Sequence, residues 1–125
     1  MIAGTGIDVC EVDRMREAIQ RHGRRFIERV FTAGEIAYVE SKHNRFERYA
    51  ARFAAKEAGM KAIGTGWRRG VRWQDFEVVN QPGGRPVLRL HGEAARIATG
   101  MEIRNVALSL THTRDQAVAF VVMEN

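Results

Sequence analysis

Apolar and polar residues alternate from Thr5 to Val9, with Ile7 and Val9 on one side of an extended chain and Gly6 and Asp8 on the other, as in a half-buried strand. The strand is expected to start the fold near Met1. From Val12 to Phe31 the period changes. Val12, Met15, Ala18, Ile19, Phe26, Ile27, Val30 and Phe31 recur at spacings of three and four, which predicts two short helices broken at His22 to Arg24. Thr32 and Glu35 have capping-box spacing, so a short helix should run from there to about Ser41. After a polar connection over Lys42 to Arg45, a long helix is expected from about Phe46 to Ile63, with Phe46, Tyr49, Ala50, Phe53 and Met60 on its apolar face. Gly59 weakens that helix by about 1 kcal/mol relative to alanine, which implies close packing there. Trp67 to Trp73 reads as a basic, tryptophan-bearing loop. Asp75 to Val79 and Pro86 to Leu90 read as a hairpin around Gln81 to Gly84. A helix over Gly92 to Thr99 and strands over Asn105 to Thr111 and Ala117 to Met123 complete the chain. This order predicts one α+β domain over residues 1–125, with a mainly antiparallel sheet packed against a long helix.

Composition narrows the setting. The 125 residues are 45% hydrophobic, enough for one core, and at this size oligomerisation would help to bury surface. Twenty Lys plus Arg against fifteen Asp plus Glu give a net charge of +5, which points to an acidic partner. Arg14, Arg16, Arg21, Arg24, Arg25 and Arg29 form the densest basic segment, read either as a solvated helix face or, from its density, as a docking site. The single cysteine, Cys10, cannot form an internal disulfide, which fits a reducing compartment. No apolar run approaches the roughly 18–20 residues of a membrane span, and a soluble, cytoplasmic protein is expected.

Several chemistries lack their residues. His22, His43, His91 and His112 have no zinc-ligand spacing, and there is no nucleophile elbow, Walker loop or strand-linked dinucleotide fingerprint. What remains is Asp8 on a strand, Glu57 on the long helix and Lys61 one turn beyond it. Glu57 and Lys61 share a helix face and can be read as an ordinary ion pair. Read with Asp8, they form the two carboxylates that a magnesium ion needs beside phosphate oxygens and water, with a lysine to neutralise a phosphate. The glycine-rich end Gly64-Thr65-Gly66 would leave backbone amides open to phosphates.

Gly6-Ile-Asp8 followed 49 residues later by Glu57 within Arg52-Phe-Ala-Ala-Lys-Glu-Ala-Gly-Met-Lys61 resembles the two-part signature of the phosphopantetheinyl transferases. The likeness extends to Phe31 to Glu35, Gly64 to Gly66, the Pro82 to Val87 hairpin and Ser109 to Thr113, and the length matches the short type of that superfamily. The resemblance implies transfer of the 4′-phosphopantetheine arm of coenzyme A to a serine of an acyl carrier protein. It assigns Asp8 and Glu57 to Mg2+, and Lys61 to the phosphates as a candidate proton donor. Arg52 and His112, with Thr113 and the Gly64, Thr65 and Gly66 turn, are implied to hold the rest of coenzyme A. Homotrimers with active sites between subunits are implied as well. On this reading Arg14, Arg21 and Arg24 or Arg25 would meet an acidic helix of the carrier protein. A basic nucleic-acid-binding module is the alternative, with Trp67 and Trp73 as stacking candidates.

Overall fold

The computed structural model describes all 125 residues, Met1–Asn125. Strand β1 (Ile2–Glu11) leads into helices α1 (Val12–His22), α2 (Arg24–Val30), α3 (Ala33–Glu40) and α4 (Arg45–Ala62). A 3-10 turn (Trp73–Asp75) precedes the hairpin β2 (Phe76–Asn80) and β3 (Pro86–Leu90), and α5 (Gly92–Gly100), β4 (Asn105–His112) and β5 (Gln116–Glu124) follow. All strand pairing is antiparallel, in a three-stranded sheet of order β1-β5-β4 and the separate hairpin β2-β3.

The helix boundaries follow the local chemistry. Gly23, at a φ of 65°, separates α1 from α2 and closes α1 by donating its N–H to the Ile19 carbonyl. At α3, Glu35 N–H donates to Thr32 Oγ1 at 3.2 Å and Thr32 N–H donates to Glu35 Oε1 at 2.9 Å, so the expected capping box is complete.

Helix α4 is the axis of the molecule. It packs on β1 and β5 on one side and on β2, α1 and α3 on others, so it is buried nearly all round. Its alanines at 50, 51, 54, 55, 58 and 62 keep it thin enough for this. The closest approach is at β1. A Cβ at Gly6 would sit 1.8 Å from the Ala58 carbonyl oxygen, and one at Gly4 would sit 1.9 Å from that of Ala62. The glycine and Asp8 side of β1 therefore faces the helix, while Ile7 and Val9 are 57% and 51% exposed on the outer face of the sheet. Alternation alone does not say which side is inward, and here backbone proximity outweighs hydrophobicity. Gly59 has the same cause, because a Cβ there would lie 2.7 Å from Phe76 Cδ1 and 3.1 Å from Leu88 Cδ2.

Candidate active site

Two turns of α4 and one strand position assemble a charged cluster. Asp8 follows the two close-packed glycines on the inward side of β1, which points its carboxylate along α4. Lys61 Nζ donates to Asp8 Oδ1 at 3.0 Å and to the Ile7 carbonyl at 2.9 Å. The expected pairing of Lys61 with Glu57 is not made. The strand carboxylate, brought close by the glycines, takes the ammonium instead. Glu57 is half-buried, and burial first and the Asp8 charge second push its carboxyl above the usual range, with Lys61 and Arg14 opposing.

This donor set suits a hard cation. No group of three or more His, Cys, Asp or Glu side chains gathers anywhere in the chain, so no all-protein cage exists. Magnesium needs none, since one or two carboxylates with substrate phosphates and water suffice. The Asp8 charge makes ionised Glu57 more costly, and a dication between the two carboxylates would relieve this. Cys10 adds no ligand, because burial, then Glu57 and Asp8, push its thiol up to about 12.

Glu57 lines a groove of about 480 Å³ together with Val9, Cys10, Arg14, Met15, Phe26 and Phe53. Ala18 and Phe26 are shared with a neighbouring open groove whose other walls are Arg21, His22, Arg25 and Arg29. Arg14, Arg21 and Arg25 thus lie on one connected surface. Arg24 does not. It pairs with Glu28 at 3.0 Å and lines a different groove beside α3. Arg29, part of the same dense basic segment in sequence, belongs to this wall as well.

The turn after α4 differs from expectation. The amides of Gly64, Thr65 and Gly66 donate to the carbonyls of Lys61, Met60 and Met60 respectively. They are spent closing the helix, as a glycine-terminated end does, and do not stand open to phosphates. Beyond the turn, Trp67 is 66% exposed and its ring lies 5.7 Å from that of Trp73, which stacks on Phe53 at 4.8 Å.

His112 and Thr113 lie in a second constellation beside the first turn of α4, whereas Arg52, in the middle of that helix, meets Asn80 and Tyr38 instead. The Arg52 guanidinium is buried, donating from Nη2 to Asn80 Oδ1 at 2.7 Å and resting 4.4 Å from the Tyr38 ring centroid. Its Nε has no partner, and burial pushes its pKa down. His112 Nδ1 is 3.2 Å from Glu47 Oε2. Thr113 Oγ1 accepts the amides of Asp115 and Gln116 and shapes the β4–β5 turn. At 1.5 Å per residue, Glu47 and Glu57 are roughly 15 Å apart along α4. One chain therefore does not bring the two constellations together.

A buried pair escaped the sequence. Lys56 donates to Glu35 Oε1 at 2.7 Å and to the Phe76 carbonyl at 2.6 Å, with both side chains wholly buried. Burial pushes the Lys56 pKa down, and Glu35 opposes the shift. Because α4 is enclosed on every side, its hydrophobic period gave no sign that position 56 faces inward.

An antiparallel sheet wrapped on a central helix, with paired acids and a lysine at the seam, has a known class. The sequence model of the 4′-phosphopantetheinyl transferase superfamily matches residues 4–121, and the chain belongs to that family. Within it, the chain is 64% identical over 125 residues to the holo-[acyl-carrier-protein] synthase of Solibacter usitatus, with all of both chains covered. Its fold superposes with a TM-score of 0.91 on the holo-[acyl-carrier-protein] synthase of Neisseria meningitidis, at 32% identity and full coverage of both. The enzyme of that name from Bacillus anthracis, solved in complex with CoA (3′,5′-ADP), matches with a TM-score of 0.81 and 36% identity over 98% of this chain and 96% of that one.

Proposed function

We propose that this protein transfers the 4′-phosphopantetheine arm of coenzyme A to a serine of an apo acyl carrier protein, releasing adenosine 3′,5′-bisphosphate. The observation that carries the proposal is the Asp8, Glu57 and Lys61 cluster, whose Glu57 lines a groove that adjoins an arginine-lined surface. The new bond joins the serine oxygen to the β-phosphorus of coenzyme A, and the bond from that phosphorus to the bridging oxygen breaks. Asp8 and Glu57 are the residues that would hold Mg2+, which when bound supplies charge neutralisation to the pyrophosphate. The Glu57 carboxylate, which lines the groove, is the group placed to accept the serine proton. Lys61, on a half-exposed flexible stem, offsets the charge on the departing phosphate and can protonate it. Val9, Met15, Phe26 and Phe53 exclude water from the thiol arm. Arg14, Arg21, Arg25 and Arg29 steer an acidic carrier protein to the groove mouth.

The working unit in this proposal is a homotrimer. The outer sheet face carries Ile7 and Val9 beside Phe120, which is 44% exposed, and an apolar patch of this kind marks a protein interface. His112 of one subunit would then meet the Asp8 and Glu57 of its neighbour at the nucleotide end, whereas Arg52, buried within its own chain, takes no direct part. No helix is long and apolar enough to cross a membrane, and we assign the reaction to the cytoplasm. The test is incubation with apo carrier protein, coenzyme A and Mg2+, followed by intact-mass measurement of the carrier. The serine should gain the phosphopantetheine arm, and an unmodified carrier in the presence of folded enzyme sinks the proposal.

A further inference from the structure

The one lysine at the site is already engaged. Lys61 Nζ gives one hydrogen bond to Asp8 Oδ1 at 3.0 Å and another to the Ile7 carbonyl at 2.9 Å, and it contacts no oxygen of Glu57. It thus stands on one of the two carboxylates that a divalent cation would need. A cation arriving alone meets an ammonium on the same oxygen, and the like charges oppose its entry. The Lys61 side chain is 53% exposed, so a swing away from Asp8 requires no unpacking. A phosphate, with several charged oxygens, offers the ammonium acceptors in exchange for Asp8 and the Ile7 carbonyl.

We infer that Lys61 is a resident counter-cation that keeps the Asp8 and Glu57 pair closed to a free divalent ion and yields it when an incoming pyrophosphate takes the ammonium, so that metal and phosphates enter together. This rests on the reading of the cluster as a metal and phosphate site. It gives Lys61 a role before any chemistry begins. Linkage makes the effect reciprocal: the donor's phosphates tighten metal binding by the same factor by which metal tightens binding of the donor. Glu57 also gains, because Lys61 near Asp8 lowers the repulsion between the two acids while the site waits.

The experiment is a titration with Mn2+, which suits the same oxygen ligands, followed by electron paramagnetic resonance on the full-length protein. Wild type, Lys61→Met and Asp8→Asn are each titrated with and without coenzyme A. Lys61→Met should bind Mn2+ alone about two- to fivefold more tightly than wild type, the size set by a half-exposed ion pair. Coenzyme A should enhance Mn2+ affinity in wild type and enhance it less in Lys61→Met. Asp8→Asn should bind weakly throughout. Lys61→Met that binds free Mn2+ no better than wild type overturns the inference, as does an undiminished enhancement by coenzyme A. The two readings fail separately. A wild type that follows the Mn2+ pattern but transfers no arm loses the reaction and keeps the device, and an active wild type whose Lys61→Met variant gains no Mn2+ affinity does the reverse.

Discussion

At the scale of single residues, the site trades stability for chemistry. Glu57 has a folded pKa above its unfolded one because burial and Asp8 both disfavour its charge. The folded chain therefore holds this proton better than the unfolded chain does. The resulting stability is present below the ordinary carboxylate range and is lost as pH rises through the raised value. Glu57→Gln should remove that loss. Without metal, its thermal midpoint should exceed that of wild type at neutral pH and match it more closely in acid, while carrier modification slows by about 100-fold or more. Thermal scans across pH, paired with rate measurements, check both halves. The neighbouring residue has the opposite character. Lys56→Met would leave Glu35 charged and unpaired in the core and should cost about 3–5 kcal/mol in urea unfolding. Removing both charges often restores stability in other buried pairs. Here Glu35 also accepts the amides of Thr32 and Val78, at 2.9 and 2.8 Å. Glu35→Leu with Lys56→Met orphans both, so the double variant should remain about 2 kcal/mol or more below wild type.

At the scale of elements, glycines set how closely α4 is wrapped, and they differ in what they touch. Gly6→Ala would drive a Cβ into the Ala58 carbonyl, which belongs to rigid helix backbone, so β1 must lift and carry Asp8 away from Glu57. We expect a loss above the about 1–3 kcal/mol of ordinary overpacking, together with loss of transfer. Gly59→Ala meets only the side chains of Phe76 and Leu88, which can shift, and it gains about 1 kcal/mol of helix propensity. Its net cost should be about 0–2 kcal/mol, with activity retained. Urea unfolding of the two variants side by side tests the contrast. The same distinction explains what could be read from the chain alone. The Thr32 capping box, the Gly23 break and the Pro86–Leu90 strand are local, and the structure has them where the residues place them. Asp8, Glu57 and Lys61 were legible as a set because motif spacing ties strand to helix. Contacts between distant segments were not legible. The inward face of β1, the Lys61 bond to Asp8 and the Lys56 bond to Glu35 each depend on where a remote backbone passes. The amides at Gly64 to Gly66 close the helix instead of standing open, and glycines that free a turn for a ligand and glycines that close a helix look alike in sequence.

At the scale of the whole molecule, the proposed trimer would join two half-sites and cover the exposed apolar face of the sheet. Across the outer face, Ile7 stands opposite Phe120 and Val9 opposite Val118, with Ser109 and Thr111 completing the two rows on β4. The exposed Ile7, Val9 and Phe120 make this face the apolar surface that the proposed trimer would cover. Phe120→Asp should therefore yield a folded monomer by light scattering and abolish transfer, whereas a variant that stays trimeric removes this face from the interface. A stronger argument comes from mixing. Glu57→Gln damages the acidic cluster, and His112→Ala damages the constellation roughly 15 Å away along α4. If each active site joins the cluster of one subunit to the second constellation of its neighbour, each variant alone is impaired at every site. Unfolding and refolding the two together gives mixed trimers in which some junctions pair an intact cluster with an intact His112 side. On random assembly about a quarter of the junctions are fully intact, because each half is undamaged in half of the chains. Activity should rise well above that of either variant, toward about a quarter of the wild-type rate. Sites confined to one chain would gain nothing from mixing, because every chain would still carry one of the two lesions.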